Sequence, residues 1–172
     1  MSGTRVHITQ GEQAVGSDPD MVITTLLGSC VSCCLWDPEA GVGGMNHMLL
    51  TSSSANDGMS QMLGVNAMEL LINEILKKGG SRGRLHAKAF GGARMVAGLS
   101  DIGQKNSDFI LEFLEQEGIT CESHSLGGQT ARHLMFWPAS GRVMQKMRTD
   151  APQETVEQVS ASKTTGNDLE LF

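Results

Sequence analysis

A chain of 172 residues and 18.4 kDa, with 40% hydrophobic and 19% charged residues, has the composition of one globular domain rather than of a disordered or fibrous protein. A formal net charge of −6 argues against nucleic acid or an anionic membrane as partner, and two Trp, five Phe and no Tyr leave few platforms for base stacking. No apolar run approaches the ~20 residues of a membrane helix, the opening MSGTRVHITQGEQAV holds no signal-peptide core, and four cysteines here read as free thiols of a cytoplasmic protein.

In chain order, residues 1–20 read as an extended opening segment with a turn at Gly16-Ser17-Asp18-Pro19. Met21–Leu27 (MVITTLL) is an apolar, β-branched run of strand length stopped by Gly28. Val31–Trp36 reads as a second strand, ended by the turn Asp37–Gly41, and Val42–Leu50 as a third. From about Asp57 the period becomes helical. Met59, Met62, Leu63, Ala67, Leu70, Leu71 and Ile75 form the expected buried stripe, with Gly79-Gly80 as the stop. Leu85–Phe90 alternates as a strand. Asn106 is the expected N-cap of a second helix that buries Phe109, Ile110, Phe113 and Leu114 and stops at Gly118.

Ile119–Leu126, Ala131–Trp137 and Arg142–Met147 complete the strands. Arg148–Phe172, with five acids against two bases, is expected to be a flexible acidic tail, its terminal LELF either docked or frayed. The order β-β-β-α-β-α-β-β-β lacks the strict alternation of a doubly wound sheet and predicts a layered α/β or α+β sandwich with antiparallel pairing.

Three of the four cysteines fall within five positions, in LGSCVSCCLWD (Leu27–Asp37). Structural zinc needs a second pair of ligands, and no second CxxC or HxxxH follows. A redox pair needs CxxC at a helix start, whereas this segment reads as strand. Alternation along a strand puts Cys30 and Cys34 on one face and Cys33 on the other. Cys30 alone follows Gly-Ser at the junction of two strands, where a substrate carbonyl has room to approach and main-chain N–H groups are available to an oxyanion. His47, in GVGGMNHMLL on the next strand, is the candidate base; His7, His86, His124 and His133 lie in less favourable settings. An imidazole in such a site needs an orienting group. Thr24 and Thr25 face opposite ways along MVITTLL, so only one of them can serve.

The stretch TTLLGSCVSCCLWDPEAGVGGMNHMLL (Thr24–Leu50) resembles the signature of the CheD family of chemoreceptor glutamine deamidases. KAFGGARM (Lys88–Met95), IGQKN (Ile102–Asn106), LGGQTARHLMF (Leu126–Phe136) and SGRV (Ser140–Val143) resemble further segments of that family in the same order, so the resemblance spans about residues 5–147. It implies a three-layer α/β sandwich with two main helices over residues 1–147, followed by the tail at 148–172. It also implies a protein-glutamine glutaminase with Cys30 as nucleophile, His47 as base and Thr24 as orienting hydroxyl, and with no cofactor or metal. The implied partners are chemoreceptor cytoplasmic domains and a CheC-type phosphatase, met by a monomer in the cytoplasm without membrane insertion. The rival from another class is a non-catalytic adaptor that binds receptors or a CheC-type phosphatase while its cysteines only pack.

Overall fold

The computed structural model describes residues 3–50, 57–95, 102–148 and 169–172. Ten strands and two helices follow one another as β1 (Arg5–His7), β2 (Gln13–Gly16), β3 (Val22–Leu27), β4 (Val31–Asp37), β5 (Val42–Asn46), α1 (Asp57–Lys77), β6 (His86–Gly91), α2 (Ile102–Gln116), β7 (Thr120–Leu126), β8 (Ala131–Trp137), β9 (Arg142–Arg148) and β10 (Leu169–Leu171). They make an α/β protein with two five-stranded mixed sheets, ordered β1-β3-β8-β9-β10 and β2-β5-β4-β6-β7. Pairing is antiparallel except at β1–β3 and β6–β7.

Two apolar layers stack these parts. Ile23, Leu27, Leu134, Phe136 and Val143 of the first sheet meet Cys34, Trp36, Met45 and Phe90 of the second. On its other face the second sheet presents Val31, Cys33, Leu35, Ala87 and Ala89 to Met68, Leu71, Ile72 and Ile75 of α1 and to Ile110, Phe113 and Leu114 of α2. The period-two alternation of β4 thus feeds both cores, which is why VSCCLWD is buried along its whole length.

The expected strands from β3 to β9 are present, and the structure adds β1 and β2 within the opening segment. The buried stripe of α1 differs from the expected one. Met59, Met62, Leu63 and Leu70 are 52–66% exposed, whereas Gly64, Met68, Leu71, Ile72 and Ile75 face the core. The physical reason is Gly64: a Cβ there would collide with the Phe109 ring, so the glycine face is the one on which α2 closes. Asn106 is likewise not a cap, because α2 begins at Ile102 and Asn106 lies a full turn inside it.

The tail boundary also shifts. Arg148 completes β9, and Leu169–Leu171 return as β10 on the edge of the first sheet. The alternation of apolar Leu169 and Leu171 with Glu170 suits an edge strand, and Phe172 packs into the inter-sheet core. Residues 149–168 of the expected tail lie outside the described residues.

Candidate functional site

Cys30 lies in the short turn between β3 and β4, and His47 directly follows β5. Between them Val31 and Met48 exchange two main-chain hydrogen bonds of 3.0 and 2.8 Å. Val31 and Met48 point to the helix layer, so their neighbours Cys30 and His47 turn toward the opposite face, where the first sheet lies. His47 is held by its own backbone as well, its N–H bonding Glu12 O at 3.1 Å and its carbonyl accepting from Gly11 N at 2.9 Å.

Thr25, not Thr24, meets this histidine. Thr25 shares the inward face of β3 with Ile23 and Leu27, and its Oγ1 lies 2.7 Å from His47 Nδ1. Thr24 points to the other face, where its hydroxyl lies 2.9 Å from His7 Nδ1. The expected orienting role of Thr24 is therefore corrected by strand alternation itself: one of the two threonines reaches across the sheets, and it is the second.

Thr25 also determines the tautomer of His47. Its hydroxyl donates to the Ile8 carbonyl at 2.7 Å, an oxygen that can only accept. With its single proton committed there, Thr25 Oγ1 accepts from His47 Nδ1–H, and Nε2 is left with the free lone pair. Burial pushes the His47 pKa down to about 4, His7 lowering it further and Glu12 opposing. Burial likewise pushes the Cys30 thiol up to about 11. Both groups are neutral near pH 7, and among the described residues Cys30 Sγ makes no hydrogen bond at rest.

The main chain around Cys30 is fixed on both sides. Gly92 N donates to the Cys30 carbonyl at 2.8 Å, and Ala93 N to the Gly28 carbonyl at 3.0 Å. Gly91 holds φ at +112°, and a Cβ there would collide with the Cys30 carbonyl, so only glycine fits beneath the nucleophile position. On the other side the fully buried Asn106 donates from Nδ2 to the Ser29 carbonyl at 2.8 Å, while its Oδ1 accepts from Leu50 N at 3.2 Å. One side chain thereby ties the Cys30 turn to the chain beyond His47. Among the described residues the Cys30 N–H has no acceptor, which leaves a main-chain donor beside the thiol.

The other cysteines differ. Cys33 faces the helix layer and Cys34 the inter-sheet core, and burial pushes both thiols well up. Cys121 is half-buried on β7. All four are free thiols, and among the described residues no three His, Cys, Asp or Glu side chains converge as metal ligands would. Beside His47 a groove of about 200 Å³ runs between the Gln10–Gln13 turn and α1, with Glu12, Met48, Leu50, Leu63 and Leu70 in its walls.

Sequence reasoning overlooked Ile8, the placement of Asn106 and the choice of Thr25. The IGQKN and GGA motifs were the signals for the second and for Gly91, since a polar residue inside a helix and paired glycines after a strand each need a structural reason.

A β-rich, two-sheet α/β fold that bonds His47 to Thr25 across its sheets, with Cys30 turned to the same face as His47, defines a class of protein with a candidate cysteine nucleophile. Residues 48–147 match the family model described as CheD chemotactic sensory transduction. The chain is 51% identical to a probable chemoreceptor glutamine deamidase CheD of Caulobacter sp. strain K31, over 98% of this chain and 93% of that protein. It is 50% identical to the protein of the same name from Agrobacterium fabrum strain C58, over 98% and 96% of the two chains. A third such relative, from Caulobacter vibrioides strain NA1000, is 52% identical over 87% and 82%. Among solved structures, the hypothetical protein YfiH of Bacillus licheniformis aligns at a TM-score of 0.44 with 12% identity, over 66% and 49% of the chains. The chain belongs to the CheD family.

Proposed function

We propose that this protein deamidates glutamine side chains of chemoreceptors, with Cys30 as nucleophile, His47 as general base and Thr25 as the orienting hydroxyl. The observation that carries the reading is the chain of bonds from His47 Nδ1 through Thr25 to Ile8, which leaves Nε2 as a proton acceptor on the Cys30 side of the second sheet. The names of the relatives supply the substrate class.

Nε2 takes the proton from Cys30 Sγ as the sulfur attacks the carboxamide carbon, forming the C–S bond and moving the carbonyl π electrons onto oxygen. The Cys30 N–H, which has no acceptor among the described residues, stabilises that oxyanion. The imidazolium returns its proton to the amide nitrogen, the C–N bond breaks, and ammonia leaves a glutamyl thioester. Water, deprotonated by Nε2, attacks the thioester, and the released glutamate and the re-protonated thiol restore the site. Because both groups start neutral, the proton moves with the attack rather than before it, and the burial that disfavours ions at rest strengthens the donors that meet the transient charge.

The same reading has the protein act in the cytoplasm as a monomer, on receptor cytoplasmic domains, with a CheC-type phosphatase as a second partner. Among the described residues no helix is long and apolar enough to cross a membrane. The test is mass spectrometry of a receptor cytoplasmic fragment after incubation with the wild-type chain and with Cys30→Ala. Each Gln-to-Glu conversion adds about 1 Da as NH₂ becomes OH. A gain with wild type alone is expected; no Cys30-dependent gain on any cognate receptor rejects the deamidase and favours the adaptor.

A further inference from the structure

Residues 169–172 are held by a few contacts with β9, Phe90 and Lys88. Glu170 lies opposite Gln145 and accepts from its Nε2 at 2.9 Å, while the same amide donates to Ser125 Oγ at 3.1 Å. Val143 and Phe172 exchange two main-chain hydrogen bonds. The Phe172 ring stands edge-on to the buried Phe90, with centroids 5.2 Å apart. Lys88 Nζ donates to the Phe172 main-chain oxygen at 2.9 Å and to Gly141 O at 2.8 Å. By contrast Leu169 and Leu171 are 39% and 66% exposed and fill no pocket.

The receiving surface is complementary in charge. Lys88 and Arg132 are buried cations, and among the described residues neither forms an ion pair with a carboxylate side chain. Arg132 is turned to the Ser125 and Gly127 carbonyls, and the Glu170 charge acts favourably on it. A short edge strand held through two side-chain anchors, with its leucines left exposed, is organised as a ligand.

We propose that the β9 edge is a peptide-docking groove that reads an extended segment with an acid two residues before an aromatic, and that residues 169–172 are its tethered, exchangeable occupant. The main-chain ladder supplies affinity, and the Gln145 and Phe90 contacts supply specificity, as in strand addition to a sheet edge. The groove does not depend on the reaction at Cys30.

The test uses the full chain and a fluorescein-labelled peptide, GNDLELF, copied from residues 166–172. The Glu170→Lys, Phe172→Ala double variant of the full chain empties the groove. Its binding of the peptide, read by fluorescence anisotropy, is expected to saturate in the micromolar range, about tenfold or more tighter than that of wild type. Within the peptide, the Phe172→Ala change abolishes binding and the Leu171→Ser change leaves it within about twofold. Equal binding by wild type and variant, no saturable binding by a folded variant, or equal loss from both peptide changes overturns the proposal. Hydrogen exchange on wild type is the second measurement: the Val143 and Phe172 amides are expected to exchange through local opening, far faster than those of β8. If they exchange only with global unfolding, or if the double variant does not fold, the segment is a fixed strand and the groove is rejected.

Discussion

The 2.7 Å hydrogen bond from His47 Nδ1 to Thr25 Oγ1 joins β3 of one sheet to the residue after β5 of the other and leaves the lone pair of the imidazole on Nε2. Removing the Thr25 hydroxyl frees the ring to rotate and to change tautomer. Thr25→Ala is therefore expected to lower kcat by about 10–100-fold, with Thr25→Ser recovering most of it. Thr24→Ala, which touches His7 instead, should stay within about threefold. Initial rates of ammonia release on a receptor fragment compare the three variants, and a larger loss from Thr24→Ala would reassign the hydroxyl.

The neutral resting pair has a kinetic signature. With Cys30 at about 11 and His47 at about 4, the neutral thiol and free imidazole coexist across the whole physiological range. Deamidation should rise through about pH 4 and then stay level past neutrality. Alkylation of Cys30 by iodoacetamide, which needs preformed thiolate, should keep climbing about tenfold per pH unit beyond pH 8. Alkylation that instead plateaus below neutrality would indicate a resting thiolate–imidazolium pair.

Asn106 holds the Ser29–Cys30 peptide through the Ser29 carbonyl. Asn106→Asp preserves the acceptor for Leu50 N–H but places an oxygen against the Ser29 carbonyl, so the peptide that carries the Cys30 N–H is expected to turn. We expect kcat to fall by about tenfold or more with KM little changed, because a displaced oxyanion donor costs the transition state rather than binding. Steady-state kinetics beside a melting curve separate this from loss of fold.

Gly91 is the tightest packing constraint on the nucleophile turn. Gly91→Ala must adopt a strained positive φ and push its methyl against the Cys30 carbonyl. A loss of at least ~2 kcal/mol is expected in urea titration, with deamidation lowered even where the variant is fully folded.

Acid stability should fall in two stages. Burial holds His47 at about 4, below its ordinary 6.5, so its contribution is complete above about pH 6.5 and is lost as pH falls toward 4, because the unfolded chain takes up the proton first. His133, also lowered by burial, adds to the same limb. For Asp37 burial alone would raise the carboxyl, but the Arg84 guanidinium and the N–H groups of Ala40, Ser81 and Glu39 outweigh it and hold the group at about 2. Its contribution is lost between about pH 4 and 2. Melting temperature against pH checks both limbs: His47→Gln should flatten the upper one, and Arg84→Ala should weaken the lower.

The strands from β3 to β9 were legible because alternation and turn residues mark them locally. β1 and β2 were not, since three and four half-exposed residues become strands only by pairing with β3 and β5, partners that are distant or not yet placed in the sequence. β10 escaped for the same reason. At the site, Gly-Ser before Cys30 singled out that thiol among its neighbours. Alternation showed that Thr24 and Thr25 diverge, but which of them faces His47 depends on which side of β3 the second sheet covers, a tertiary fact. The α1 stripe failed because the helix carries apolar residues on two faces, and the choice between them fell to Gly64, a residue that hydrophobic periodicity ignores.

Because Thr25 stands on one sheet while Cys30 and His47 flank β4 and β5 of the other, the site is a gauge of how the two sheets sit on each other. A slip of about 1 Å along the seam would leave every strand hydrogen-bonded and the helices intact, yet it would part the imidazole from its hydroxyl and cost on the order of a hundredfold in rate. Mild heat, pressure or low denaturant should therefore silence the enzyme while its circular dichroism is still native. Any partner that grips both sheets at once could tune turnover without approaching the cysteine.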